Sequence, residues 1–73
     1  MAASEISATV RRIMEREGRN RLWVIDRMNE LMPEIEMDQT KFSGITTGHR
    51  NMSADEMLAF CMALQVSPDE FLV

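Results

Sequence analysis

Apolar residues recur at helical spacing along most of this chain. Ile6, Val10, Ile13 and Met14 fall at i, i+4, i+7 and i+8, one face of a helix over about residues 4 to 17, and Gly18 is placed to end it. Asn20 is positioned to cap a second helix, whose apolar face is Leu22, Ile25, Met28 and Met32 with Leu31 beside it. Pro33 ends or kinks that helix, and residues 33–36 read as a connection. A third helix follows, over 38–47. Asp38 caps it, Met37 and Phe42 form a hydrophobic staple across the cap, and Gly48 closes it. Phe42 and Ile45 face inward. The opposite face is polar but almost uncharged, which is unusual for a helix that only meets water. After a loop of residues 49–52, Ser53-Ala54-Asp55-Glu56 is a full capping box. The helix it opens, 54–65, is apolar nearly all round, so it is either central to the fold or shared with a partner chain. Ser67 and Pro68 repeat the cap logic before a last turn ending in Phe71, Leu72 and Val73. No period-2 alternation suggests a strand. The pattern predicts an all-α chain of five short helices, a single domain over residues 1–73.

Composition narrows this picture. The 73 residues include eight methionines, three phenylalanines and no tyrosine, so aliphatic and methionine side chains are expected to fill a modest core. Methionine also makes adaptable binding surfaces, and both uses stay open. One cysteine, Cys61, cannot bridge within its own chain, and with the lone His49 it cannot make a four-ligand zinc site. The usage fits a reducing cytoplasm. No apolar run approaches ~20 residues, and the start lacks the basic flank and apolar stretch of a signal peptide. No membrane role, cofactor or metal is expected. Nor is an enzyme: there is no Gly-rich phosphate loop and no HExxH, and a single histidine singles out no Ser-His-Asp arrangement. Glu34, Glu36 and Asp38 lack the spacing and the glycine of a calcium loop.

The net charge of −4 argues at first against nucleic acid, but the charges are segregated. Residues 10–29 carry six arginines against three acids, and residues 39–53 hold Lys41 and Arg50 with no acid. Residues 30–38 and 54–73 each hold four acids and no base. A phosphate-facing surface would draw on the middle of the chain; ordinary solvated helix faces would give the same pattern.

The stretch MDQTKFSGITTGHRNMSADEMLAFCMALQVSPDEFL, residues 37–72, resembles the second half of the helix-turn-helix domain of the phage-repressor and XRE-type regulator family. In that family a recognition helix ends at a glycine, a short loop follows, then a capped apolar helix, then a leucine-x-valine-serine-x-aspartate ending. Here those are Met37 to Gly48, the loop from His49, the Ser53 helix, and Leu64 to Asp69. VRRIMEREGRNRLWVIDRM, residues 10–28, resembles the family's first helix, its glycine and the start of its second. The resemblance implies a lambda-repressor-like fold with a helix-turn-helix core at about 20–48. The chain departs from the family in three places. Residues 30–36 look like an insertion that lengthens the connection between the second and third helices. The family's usual Glu two residues before the closing glycine, and its Arg partner on the first helix, are replaced together by Thr46 and Met14. Gly44 interrupts the recognition helix, where glycine costs ~1 kcal/mol against alanine; either something approaches the backbone closely there, or the position is unoptimised.

The resemblance implies a cytoplasmic, sequence-specific regulator of phage or bacterial type, a repressor of transcription that reads operator DNA in the major groove with helix 38–47. Base contacts are then expected from Gln39, Thr40, Lys41, Ser43 and Gly44, and phosphate contacts from Asn20, Arg21, Thr47, His49 and Arg50. Gln39 suits bidentate bonding to adenine, and the helix start at Asn20 and Arg21 offers free N–H groups to an anion. Recognition by two copies implies a homodimer, with Phe60, Leu64, Phe71 and Leu72 as its expected interface; the same residues would equally serve to close the chain's own core. A rival reading is a protein-binding module on the same scaffold, an antirepressor or antitoxin-like partner of another regulatory protein. The net negative charge and a recognition helix with a single lysine speak for it.

Overall fold

Four capped α-helices and two short 3-10 turns make up the computed structural model, which describes residues 2–72. Helix α1 spans Ala3–Glu17, α2 Arg21–Leu31, α3 Gln39–Thr47 and α4 Ala54–Leu64. The 3-10 turns are Pro33–Ile35 and Pro68–Phe71. Among the described residues there is no strand, so the chain is all-helical, with four helices rather than five. The fifth expected helix is a single 3-10 turn of four residues, closed at Leu72; Val73 lies outside the described residues.

The local signals place the helix ends. Asn20 Oδ1 accepts the Trp23 N–H at 2.8 Å, and Asp38 Oδ1 accepts that of Lys41 at 2.8 Å. Ser53 and Glu56 exchange both bonds of the capping box. Gly18 and Gly48 close α1 and α3 at φ 68° and 81°, a region that side chains with a Cβ avoid.

α2 packs chiefly on α4, and α1 on α3. All three phenylalanines join in one chain of contacts. Phe42 on α3 lies 6.4 Å from Phe60 on α4, and Phe60 meets Phe71 of the C-terminal turn edge to face at 6.2 Å. Around them close Val10, Ile13, Val24, Met28 and Ile45, all fully buried. Methionine serves the core as expected at Met28, Met37 and Met52, while Met62 is exposed.

Two expectations about faces need correction. Leu22 is exposed and Val24 takes its place in the core, because the buried side of α2 is centred on Val24, Ile25 and Met28. Leu22 projects roughly a third of a turn away from that centre. Phe60, Leu64 and Phe71 are buried within the chain itself, so they offer a second copy no surface; of the four residues expected at a dimer interface only Leu72 is exposed. α2 and the C-terminal turn cover one side of α4, while Leu58 and Met62 stay exposed on the other.

Candidate nucleic-acid interface

The connection between α2 and α3 is a folded element. Ile35 and Met37 are buried, and Glu36 turns the chain at φ 46°. The Asn29 amide on α2 donates to the Met37 carbonyl at 2.9 Å and accepts the Met37 N–H at 2.8 Å. Lys41 Nζ reaches back to the Glu36 carbonyl at 3.0 Å. The entry to α3 is thus fixed from both sides. Its exit is held by Arg11 on α1, whose guanidinium donates to the Thr46 carbonyl.

A second clamp explains the glycine inside α3. A Cβ on Gly44 would stand 3.2 Å from Arg50 Cβ and 3.4 Å from Arg50 Cδ, so the arginine stem lies directly on the helix backbone. The Gly44 carbonyl accepts the N–H of both His49 and Arg50. The Arg50 guanidinium makes two bonds to Glu56, at 3.2 and 3.0 Å. Glu56 is buried, which alone would raise its pKa, yet the bonds from Arg50 and from the Ser53 N–H hold the carboxyl below its ordinary range.

The expected contact residues therefore divide. Gln39, Thr40, Thr47 and His49 are exposed, as are Asn20 and Arg21. Arg21 Nη1 donates to Ser43 Oγ at 2.8 Å, which joins the start of α2 to the middle of the polar face of α3. Thr47 Oγ1 gives its proton to the Ser43 carbonyl at 2.8 Å and lies 2.9 Å from His49 Nδ1. Three expected contacts are engaged elsewhere. Lys41 is tied to the connection, Arg50 to Glu56, and Gly44 faces the Arg50 stem.

Sequence reasoning missed Arg11, Asn29 and Glu56 as positioning residues. Only Glu56 had a local signal, the capping box; the other two act across 35 and 8 positions of chain. Most cations are likewise occupied internally. Arg12 and Arg16 bond Glu70, Arg27 bonds Glu30, and Arg19 lies 4.2 Å over the Trp23 ring. Among the described residues no three His, Cys, Asp or Glu side chains converge to hold a metal ion, and no helix is long and apolar enough to cross a membrane. Comparison with protein-family models, curated proteins and solved structures finds no match to this chain.

Proposed function

We propose that this chain is a sequence-specific DNA-binding module, a helix-turn-helix regulator of lambda-repressor-like type that presents α3 to the major groove of an operator. One observation carries the reading: the Arg21–Ser43 bond makes the exposed start of α2 and the neutral polar face of α3 a single surface. Such a surface pairs a backbone-positioning cation with side chains of base-reading chemistry. Gln39 and Thr40 stand exposed at the start of the helix, where base edges are reached, and Thr47 at its end. The clamps of Arg11, Asn29 and Arg50 hold the helix at a fixed pose, which recognition at bond-length precision requires. The reading places the protein in a bacterial or phage-infected cytoplasm and gives it the role of a repressor.

The supply of free cations is small. Of eight Lys and Arg, six have hydrogen bonds to carboxylates or backbone carbonyls among the described residues, which leaves Arg19 and Arg21. Two phosphate contacts per copy predict a shallow salt dependence, a log–log slope of about −2 per copy. This shortage also supports the second reading, a module that binds another regulatory protein.

Anisotropy titrations against random and promoter-derived duplexes over a salt series separate the two. Gln39→Ala is expected to cost about 1–3 kcal/mol on the preferred site and to relax specificity there. Arg21→Ala is expected to weaken all sequences alike and flatten the slope. Absence of binding at about 50 mM salt, or indifference to both substitutions, overturns the DNA reading in favour of the protein partner.

A further inference from the structure

The C-terminal turn packs on the flank of α1 turned away from α3, and between the turn and the helix lies an open groove of about 640 Å³. Ser7 and Arg11 mark the side of α1 that meets α3. Glu5, Ala8 and Arg12 lie on average about a third of a turn round the helix from them and line the groove. Its other wall is Asp69, Glu70 and Leu72. Leu72 is 74% exposed, more than any other large apolar side chain among the described residues. On the floor the Thr9 hydroxyl is already engaged, donating to the Glu5 carbonyl at 3.0 Å, so beside Ala8 it adds no free donor. Acids outnumber bases here. Arg12 and Glu70 pair with each other, which leaves the carboxylates of Glu5 and Asp69. Glu5 accepts the exposed Ala2 N–H at 3.3 Å. Asp69 bonds through its backbone N–H to Ser67 Oγ, and its carboxylate has no donor among the described residues.

We infer that this groove is the docking site for a basic amphipathic segment of another protein, which sets an apolar side chain against Leu72 and Ala8 and pairs Lys or Arg with Glu5 and Asp69. Charge selects the class of partner. Nucleic acid or an anionic lipid surface would meet two uncommitted carboxylates, so neither fits. A purely apolar segment would take those carboxylates out of water and give them no partner, which is costly. A second copy of this chain has one exposed apolar side chain beside uncommitted bases, Leu22 with Arg19 and Arg21. There Arg21 is bonded to Ser43 and Arg19 lies on the Trp23 ring, so neither guanidinium is free to reach an acid. The groove lies clear of α3. It therefore assumes neither reading of that helix, and it lets a chain seated on DNA hold a second protein at the same time.

An NMR titration of the isotope-labelled full chain tests it, with a short amphipathic peptide of leucine and lysine as the probe, added to about 1 mM. Saturable shifts are expected, centred on the amides of Glu5, Ala8, Asp69 and Leu72, and absent with the same peptide carrying glutamate for lysine. Leu72→Ser, and independently Asp69→Lys, are each expected to weaken binding at least about fivefold. Circular dichroism checks that both variants remain helical. Both should keep whatever affinity for duplex DNA the natural sequence has, so failure here is distinct from failure of the DNA reading. No saturable shift, shifts centred on another face, an equal response to the acidic peptide, or indifference to Leu72→Ser overturns the proposal. So does a free chain that self-associates in sedimentation and loses that association in Leu22→Glu, since the groove would then belong to a second copy.

Discussion

Arg50–Glu56 and Arg16–Glu70 are both two-bond guanidinium–carboxylate pairs, with bonds of 3.2 and 3.0 Å in the first and 2.7 and 2.6 Å in the second. By length the second is the tighter. Their surroundings reverse that order. The Glu56 side chain is 6% exposed and serves a cap, a guanidinium and, through Arg50, the backbone of α3. Glu70 is 22% exposed and shares its charge with Arg12; the arginines differ little, Arg50 at 37% and Arg16 at 44%, so the contrast lies in the carboxylates. A buried pair is costly to break because the remaining partner keeps its desolvation penalty, whereas an exposed one returns to water. Burial, not bond length, separates the clamp of the candidate interface from a tether of the C-terminal turn.

Glu56→Ala is the sharpest attempt to break that contrast. It removes the cap bond to the Ser53 N–H and releases Arg50, whose side chain is 37% exposed and can return to water, so a loss of about 2 kcal/mol is expected from urea unfolding at constant slope. The pH dependence has a definite sign. The folded pKa of Glu56 is lowered, so its contribution is full above the ordinary carboxylate range and is lost as pH falls through the lower, folded value. Melting temperatures should therefore fall on acidification below about pH 4.5, and fall less steeply in Glu56→Gln.

Gly44→Ala is expected to have a smaller effect, and one whose sign depends on the same pair. Alanine gains up to ~1 kcal/mol of helix propensity. Its Cβ would meet Arg50 Cβ at 3.2 Å, and the stem cannot retreat while its guanidinium is held by Glu56. A net loss of about 1 kcal/mol is expected in the intact chain, turning toward a gain in the Glu56→Gln background, where Arg50 is freer to move. A double-mutant cycle with no coupling would show that the stem is not fixed by the pair.

These clamps mark where the sequence ceased to be readable. The helix ends were legible because a cap and its donor are three positions apart, as at Asn20, Asp38 and Ser53. The polar face of α3 was legible for the same local reason. What could not be read was which helix packs on which. That alone decides that Arg11 reaches Thr46, that Asn29 grips Met37, and that Lys41 and Arg50 are occupied rather than free. The burial of Phe60, Leu64 and Phe71 was missed likewise, since periodicity shows how apolar α4 is but not how many neighbours will cover it. Val24 is buried and Leu22 exposed because α4 meets α2 on the side of Val24, a choice of partner that periodicity does not make.

The smallest effect belongs to Glu70→Gln. Hydrogen bonds from Arg16 hold the Glu70 carboxyl below its ordinary range against desolvation, helped by the charges of Arg16 and Arg12. Its contribution thus has the same pH sign as that of Glu56, present above the carboxylate range and lost in acid. The two pairs must be told apart by salt. At 1 M the screening length shrinks to about 3 Å, so exposed charges lose most of their mutual attraction while buried ones keep theirs. The difference in urea midpoint between Glu70→Gln and the natural sequence should accordingly be small at 0.1 M and close to zero at 1 M salt. That for Glu56→Gln should persist at both. The Phe71 ring, fully buried against Phe60, gives the C-terminal turn an anchor that does not depend on charge, so the turn stays docked when its ion pair is screened. Equal salt sensitivity in the two variants would mean that Glu56 is solvated in solution, and the contrast drawn between the pairs would fail.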